Sequence, residues 1–337
     1  MSETSPLWIS EADVTAMMDI GDAITALEKG LLAEARGDAR NMVKTHVAWD
    51  GATLHAIGAV FATEGFAGTK TWAHTAGGAT PLLILFDSEN GSLKAIIEAF
   101  ALGQLRTAAA SGVATDKLAA KDAVDFAIVG TGKQALPQVA AVVCVRRITR
   151  IRVFGRNRER REQFADRVRH EFNIETVAAP NIHEAVAGAS IVAVATRAND
   201  PIVTSEMISQ GAHINAIGAI VTGRAELAHD LLGRCTQIVV DSVPAAQKLS
   251  RELIDFLGDA DQPGWRRVRP LAEIVASDSV RSANDDVTLF KSLGMGISDL
   301  ALGIELYRKA TAQGLGREFQ HPQRAKPRLH VAETSSV

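Results

Sequence analysis

Residues 126–135 have the sequence FAIVGTGKQA, an apolar run that ends in two glycines and leads into a stretch of helical character. This G-x-G-x-x-A pattern is typical of the strand–turn–helix unit that binds the phosphates of a dinucleotide. Gly130 permits the tight turn, Gly132 lets the backbone approach a pyrophosphate, and Ala135 allows the helix to pack closely on the strand. The start of the helix offers free N–H groups to the anion. The alternative is a glycine turn that binds no ligand.

A second apolar run, at 148–154, follows at the spacing of a β–α–β unit. A site for NAD usually has an Asp or Glu at the end of this run, where it binds the ribose. Here the run is followed by GRNRERR at 155–161, and guanidinium groups suit the 2′-phosphate of NADP(H). The sequence therefore favours NADP(H) over NAD(H), with Arg156 as the residue that binds the phosphate. The alternative is an arginine-rich helix start in solvent.

The composition is typical of a soluble globular protein. The chain has 337 residues, enough for two domains, of which 47% are hydrophobic and 22% charged. A net charge of −3 without a long basic stretch argues against nucleic acid as the partner. No apolar run is long enough to span a membrane, and the N-terminal residues lack the features of a secretory signal. Cys144 and Cys235 fit a reducing cytoplasm, and we expect both to be buried.

The first 120 residues have the pattern of a mostly antiparallel sheet with helices. Ser10 to Asp13 resemble a helix capping box, and an amphipathic helix with apolar residues at 20, 24, 27 and 31 is predicted to end at Gly37. Asn90 and Gly91 predict a hairpin turn. Strands are predicted at 43–49, 53–60, 67–74 and 81–86, and a helix at 102–118.

From about residue 121, strands alternate with helices, which predicts an α/β fold with a doubly wound parallel sheet of the Rossmann type. We expect a helix at 300–311 to return to the first domain, since it lies beyond the last predicted strand. The polar C-terminal residues are predicted to form a loose tail. The predicted strands are 125–129, 150–154, 175–178, 190–196, 212–217 and 237–241.

Two further loops belong to the same predicted edge of the sheet as the glycine turn. In an open parallel sheet, the ligand lies outside the carboxyl ends of the strands. The loops at 196–199 and 218–223 follow two of the predicted strands. Thr196 could bind a phosphate or ribose of the cofactor, or it could be a β-branched residue that closes a strand.

Three cations in the first domain have apolar or small neighbours: Lys44 in NMVKTHVAW, Lys70 in FAGTKTWAH and Arg106 in LGQLRTAAASG. A buried cation needs a partner, and a substrate carboxylate is one. A buried Lys can also have its pKa lowered enough to move protons near neutral pH. The alternative for each is a cation at a strand edge or on the surface.

Histidines in the same region could serve the site or only the fold. His46 and His74 could donate a proton, form a polar pocket wall, or be structural. No set of His, Asp and Glu residues has the spacing of metal ligands, so we predict no metal.

Four segments together resemble the ornithine cyclodeaminase/μ-crystallin family, over residues 8–312: LRTAAASGVATDKLA, IVGTGKQA, GAHINAIGA and TLFKSLGMGISDLA. The resemblance implies a homodimer. It also implies a Rossmann domain at 121–300, inserted into an α+β substrate-binding and dimerisation domain at 1–120 and 301–320, with the loose tail at 321–337.

The resemblance also assigns roles to residues. Lys44 and Arg106 match positions that bind the substrate carboxylate, and the first of these is usually Arg in the family. Lys70 matches the lysine of the substrate pocket. Lys70 and Arg106 are therefore the candidate catalytic residues. The candidate cofactor-binding residues are Gly130, Thr131, Gly132, Lys133, Gln134, Arg156, Asn157, Thr196, Ile217 and Ser292.

One departure from the family pattern bears on the reaction. Ornithine cyclodeaminases have a catalytic Asp in the segment G-G-D-x-P-G-K, where this chain has GAIVTGR with Ile220 in place of the Asp. An apolar side chain cannot move a proton. The resemblance therefore favours an NAD(P)H-dependent reductase of imino acids, acting in reverse as an amino acid dehydrogenase. The alternatives are an ornithine cyclodeaminase and an NADPH-binding protein with weak catalysis. TWAHT at 71–75 also departs from the family, which leaves the roles of His46, Trp72 and His74 open.

Overall fold

The computed structural model describes residues 5–277 and 281–329, which form two β-sheets with flanking helices. The strands are β1 (Leu7–Ile9), β2 (Ala39–Asn41), β3 (Thr45–Trp49), β4 (Ala52–Phe61), β5 (Phe66–Thr75), β6 (Gly78–Ala79), β7 (Leu82–Asp87), β8 (Leu93–Glu98), β9 (Asp125–Val129), β10 (Arg150–Phe154), β11 (Glu175–Ala178), β12 (Ile191–Val194), β13 (His213–Ala216), β14 (Cys235–Val240), β15 (Val268–Pro270), β16 (Val287–Lys291) and β17 (Arg317–Glu318). The α-helices are α1 (Glu11–Met17), α2 (Ile20–Arg36), α3 (Phe100–Leu118), α4 (Ala135–Val145), α5 (Arg158–Phe172), α6 (Ile182–Val186), α7 (His229–Arg234), α8 (Val243–Leu249), α9 (Arg251–Leu257), α10 (Leu271–Val275) and α11 (Gly296–Gln313).

The first sheet has the order β17-β1-β8-β7-β5-β4-β2, with β3 paired to β4 and β6 to β5. All of its pairs are antiparallel except β1 with β8. Several local predictions are confirmed. Ser10 and Asp13 form the capping box of α1, and α2 ends at Gly37 in the left-handed conformation. The hairpin turn at Asn90 and Gly91 joins β7 to β8.

Helix α11 lies directly on one face of this sheet, where it contacts β4, β5 and β7. Two glycines allow the close approach, because a Cβ atom at Gly296 would collide with the backbone of Gly58, and one at Gly303 with the side chain of Leu83. Polar side chains on the sheet-facing side of α11 are therefore held close to the strands of this sheet.

The second sheet is parallel, with the order β11-β10-β9-β12-β13-β16-β14-β15. This order reverses direction at β9 and is that of a doubly wound sheet, which confirms the predicted α/β fold. Each predicted strand of this region is present within a few residues. Strands β15 and β16 were not predicted. All five residues of β16 are buried, so its sequence VTLFK has no alternation of apolar and polar residues.

Three expectations concern the surface and the chain end. Cys235 is buried as expected, but Cys144 is exposed near the end of α4, so the expectation of two buried cysteines was wrong for Cys144. Within the described residues, no helix has the length and apolar character needed to cross a membrane. The expected tail begins after β17, which pairs with β1. Residues 319–329 have no regular secondary structure, and residues 330–337 of the tail lie outside the described residues.

Candidate active site

The glycine turn after β9 has the shape of a phosphate-binding loop. Gly130 has φ +115°, and a Cβ atom there would collide with the carbonyl oxygen of Ala195, so the position requires glycine. The site where a Cβ atom of Gly132 would lie has no atom within 4 Å, which leaves open space beside the backbone. Oε1 of Gln134, just before α4, is buried and has no hydrogen-bond partner among the described residues. The turn therefore fits a dinucleotide pyrophosphate.

The neighbouring predicted residues differ in how available they are. Thr131 packs against Gly155, since a Cβ atom added at Gly155 would lie 2.9 Å from the Thr131 methyl group. Lys133 is exposed. Arg156 is exposed and has no hydrogen bond or ion pair among the described residues. The side chain of Asn157 accepts a hydrogen bond of 2.9 Å from the Arg160 N–H and caps α5.

The other predicted cofactor contacts lie at the same edge, but two of their hydroxyl groups are used within the protein. Thr196 Oγ1 donates a hydrogen bond of 2.8 Å to Glu226, and Ser292 Oγ donates one of 2.8 Å to Asp241. Ile217 is buried. Glu226 and Asp241 were not predicted from the sequence, although an acid directly after a buried strand, as at Asp241, is a signal of a polar role.

Lys70 and Arg106 meet at a carboxylate that the sequence analysis also missed. Lys70 on β5 is only 4% exposed, and its ammonium group pairs with Oδ1 of Asp299 on α11. Arg106 Nε on α3 lies 3.4 Å from the same oxygen. Asp299 is fully buried, and its Oδ2 has no hydrogen-bond partner among the described residues. An acid among the apolar residues of a helix, as in GISDLA, was the available signal.

The electrostatics show that Lys44 belongs to the same cluster. Burial lowers the pKa of Lys70 to about 8, Asp299 opposes this shift, and Arg106 and Lys44 add to it. Burial and Arg106 lower the pKa of Lys44, while Asp241 and Asp299 raise it. The structure therefore brings the three predicted cations together. We call Lys44, Lys70, Arg106 and Asp299 the cation cluster.

The cation cluster adjoins the carboxyl edge of the parallel sheet through the segment that joins β16 to α11. Gly294 in this segment has φ +85°, and its N–H donates a hydrogen bond of 2.7 Å to Asp241 Oδ2. A Cβ atom at Gly294 would lie 2.9 Å from Nη1 of Arg106. The guanidinium group therefore lies against the loop that leaves the sheet edge.

A row of rings extends from the cluster across the antiparallel sheet. The Lys70 ammonium lies 5.3 Å from the centroid of the Trp72 ring, which stacks on His55 at 4.8 Å, and His55 stacks on His46 at 5.6 Å. Burial lowers the pKa of His55, and the nearby side chains of Lys44, His46 and His74 lower it further. Among the described residues, no group of three or more His, Cys, Asp and Glu side chains could hold a metal ion.

Comparison with known proteins agrees with the resemblance seen in the sequence. The family model of the ornithine cyclodeaminase/mu-crystallin family matches residues 6–314. The chain belongs to this family. A Delta(1)-pyrroline-2-carboxylate reductase of Bacillus cereus is 30% identical over 247 residues, which cover 71% of this chain and 74% of that protein.

Solved structures of family-like proteins have the same fold. The Thermococcus litoralis Delta(1)-pyrroline-2-carboxylate reductase, in complex with NADH and L-proline, is 28% identical and superposes with a TM-score of 0.86 over 93% of this chain and 100% of that one. An archaeal alanine dehydrogenase dimer with bound NAD is 25% identical, with a TM-score of 0.86 over 94% of this chain and 99% of that one.

The loop after β13 holds the residue that departs from the family's cyclodeaminases. Ile220 is 38% exposed and Val221 is 44% exposed. The loop therefore presents apolar groups at the position where the resemblance to the family implies the catalytic Asp of cyclodeaminases.

Proposed function

We propose that this protein is an NAD(P)H-dependent reductase of imino acids, which transfers a hydride to the carbon of a C=N bond and a proton to its nitrogen. The reverse reaction is the oxidation of an amino acid. The observation that carries the proposal is the cation cluster, in which a buried ammonium of lowered pKa lies beside a guanidinium group at the edge of a dinucleotide-binding sheet. The Delta(1)-pyrroline-2-carboxylate reductases similar to this chain are named for a substrate that has both a C=N bond and a carboxylate.

The charges of the cluster suit a substrate carboxylate. Lys70 and Arg106 share a single carboxylate, Asp299, and Lys44 has no ion pair among the described residues. Buried and partly buried cations in excess of anions are stabilised by an anionic ligand. In this proposal Arg106 and Lys44 bind the carboxylate of the substrate.

Lys70 is the proton donor in this mechanism. A pKa of about 8 lets the group carry a proton at neutral pH and release it readily. Asp299 Oδ1 holds the ammonium, and the unpartnered Oδ2 can accept a hydrogen bond from the N–H group that forms on the substrate. The nicotinamide of the bound cofactor supplies the hydride.

We propose NADP(H) as the preferred cofactor, bound by the ten residues predicted from the sequence. The exposed Arg156, without a partner among the described residues, is free to bind a 2′-phosphate with its guanidinium group. The similar structures contain NADH and NAD, so a preference for NADP(H) would distinguish this chain from them.

We also propose that the protein is a cytoplasmic homodimer, with a substrate and dimerisation domain at 1–120 and 301–320 and a cofactor domain at 121–300. The sheet face opposite α11 carries apolar side chains such as Ala67 and Phe86, and a groove of about 380 Å³ lies on it. A second copy would bury this face. Sedimentation of the wild-type protein and of Phe86→Arg tests this assignment, with a monomeric wild-type protein contradicting it.

A spectrophotometric screen tests the reaction. NADPH and NADH oxidation is measured with pyrroline-2-carboxylate, with piperideine-2-carboxylate, and with 2-oxo acids plus amines. We expect turnover with at least one imine, and Lys70→Ala and Arg106→Ala should each lower it about 100-fold or more. Ammonia release from ornithine without net NADH would instead support a cyclodeaminase. Tight NADPH binding without any turnover would support a binding protein.

A further inference from the structure

The loops at the carboxyl edge of the parallel sheet occur in a fixed order. The glycine turn follows β9, and the loops of Thr196, Gly218 and Ser292 follow β12, β13 and β16, which are successive neighbours in the sheet. The cation cluster lies beyond the last of these loops, where Arg106 meets Gly294. A dinucleotide whose pyrophosphate lies at the glycine turn must therefore cross the loops after β12 and β13 to reach Lys70.

A buried carboxylate joins these two loops, in addition to backbone hydrogen bonds such as the one of 3.3 Å from the Ala225 N–H to the carbonyl oxygen of Ala198. Glu226 has no exposed surface. Its Oε1 accepts hydrogen bonds from the N–H and the Oγ1 of Thr196, at 2.7 and 2.8 Å. Its Oε2 accepts hydrogen bonds from the N–H groups of Gly218 and Ala219, at 2.8 and 3.0 Å. Each oxygen thus serves one loop.

The two loops are also in close contact beside this carboxylate. A Cβ atom at Gly218 would collide with the backbone of Thr196 and would lie 2.5 Å from Oε1 of Glu226. Since glycine is required there, the spacing of the loops is set by backbone contact and by the carboxylate.

A second carboxylate anchors Glu226 itself. Glu252 Oε2 accepts hydrogen bonds from the N–H groups of Glu226 and Leu227, at 2.6 and 3.2 Å. Glu252 Oε1 lies 2.6 Å from the ammonium of Lys291, the last residue of β16, and both side chains are buried. Burial raises the pKa of Glu226, whereas Lys291 and the donors of Thr196 oppose that rise. The network thus links the ends of β12, β13 and β16.

We propose that Glu226 is a positioning residue for hydride transfer, which holds the loops after β12 and β13 so that the nicotinamide end of the cofactor lies against the cation cluster. A buried carboxylate is costly unless its geometry is well satisfied, and here all four donors come from the two loops at the cofactor edge. The inference rests on the proposed function for its reaction, but its effect on cofactor binding is independent of any imine substrate.

The main test is Glu226→Gln, which keeps the size of the side chain but places an NH₂ group opposite two N–H donors. The dissociation constant of NADPH, from fluorescence titration without substrate, should rise about tenfold or more, because buried donors lose their acceptor. The value of kcat for imine reduction should fall by a similar factor. The KM for the imino acid should stay within about threefold, because Arg106 and Lys44 are unchanged.

Glu98→Gln is the matched control. Glu98 accepts hydrogen bonds from Trp8 Nε1 at 3.1 Å and from the Glu11 N–H at 2.8 Å, in the antiparallel sheet and away from the cofactor edge. This variant should keep the wild-type dissociation constant. If Glu226→Gln does not fold, Glu252→Gln replaces it, since Glu252 holds the N–H groups of Glu226 and Leu227 and its loss should also weaken NADPH binding.

Thr196→Val separates this role from direct contact of the hydroxyl with the cofactor. We expect it to weaken NADPH binding in the wild-type protein but to have little further effect in Glu226→Gln, because coupled residues are not additive. Unchanged NADPH affinity in Glu226→Gln would overturn the inference, and the same holds for Glu252→Gln where that variant replaces it. Equal effects of Thr196→Val on NADPH affinity in the wild-type and Glu226→Gln backgrounds would also overturn it. If the wild-type protein reduced no imine, the proposed function would fail while the affinity comparison would still stand.

Discussion

The rate of imine reduction should fall as the pH rises through about 8, because Lys70 must be protonated to deliver a proton to the imine nitrogen. Burial lowers the pKa of Lys70 from 10.5 to about 8 against the opposing effect of Asp299. This difference corresponds to about 3 kcal/mol at 1.36 kcal/mol for each pH unit. Above pH 8 the protonated fraction, and with it kcat/KM, should decrease about tenfold per pH unit.

Removing the carboxylate of Asp299 should move this descending limb to lower pH. An opposite charge at such short range raises the pKa of an amine by about 1 to 3 pH units. In Asp299→Asn the limb should therefore lie between about pH 5 and pH 7. At pH 8 the loss of protonated Lys70 alone then lowers kcat/KM by about 5-fold to 500-fold.

The assay measures initial rates of NADPH oxidation with pyrroline-2-carboxylate from about pH 5 to about pH 10. Lys70→Arg is the control, because a guanidinium group does not lose its proton in this range, so its residual activity should lack the limb near pH 8. A limb that comes from protonation of the imine itself would stay at the same pH in every variant. The reasoning is refuted if the wild-type limb near pH 8 is unchanged in Asp299→Asn.

Three further predictions concern the cofactor edge and the core. Arg156→Ala should raise the KM for NADPH about tenfold or more and leave the KM for NADH nearly unchanged, as steady-state kinetics with both cofactors would show. Gly132→Val should keep the wild-type melting temperature, because its side chain enters open space, yet abolish measurable NADPH binding in a titration. Burial lowers the pKa of His213 from 6.5 to about 3, so only the unfolded chain gains this proton as the pH falls through 6.5, and the free energy of unfolding decreases. At pH 5 this loss is about 2 kcal/mol, and urea unfolding of His213→Gln at pH 7 and pH 5 should lack it.

Much of the fold could be predicted from short-range patterns. The glycine turn after β9 combines an apolar run, a required positive φ at Gly130 and a helix start, all within ten residues. The hairpin at Gly91 and the helix end at Gly37 depend on equally local chemistry. Strand β16 lies instead in the sheet interior, between β13 and β14, and all of its side chains, including Lys291, are buried. A lysine in a short run without alternation does not predict a central strand.

The candidate site also has residues that the sequence predicted and residues that it did not. Lys70 and Arg106 were predicted, because a cation among apolar residues has few explanations. Their shared partner Asp299 was missed, since it lies 229 residues from Lys70 in sequence and reaches it only when α11 returns to the first sheet. The sequence predicted the loops and cations of the site but not the carboxylates that fix them.

The buried carboxylates also change what the predicted cofactor contacts can do. The resemblance to the family implies cofactor contacts at Thr196 and Ser292. A buried carboxylate needs donors, however, and Glu226 and Asp241 accept hydrogen bonds from both hydroxyl groups. In the proposed complex, the nicotinamide would lie against this edge, whose loops present backbone groups and the exposed side chain of Ile220. NADPH and NADH are identical at the nicotinamide and differ only in the 2′-phosphate of the adenosine ribose, so this edge cannot distinguish the two cofactors. Selection between NADPH and NADH must therefore occur at the other end of the site, where Arg156 has no partner among the residues that the structure describes.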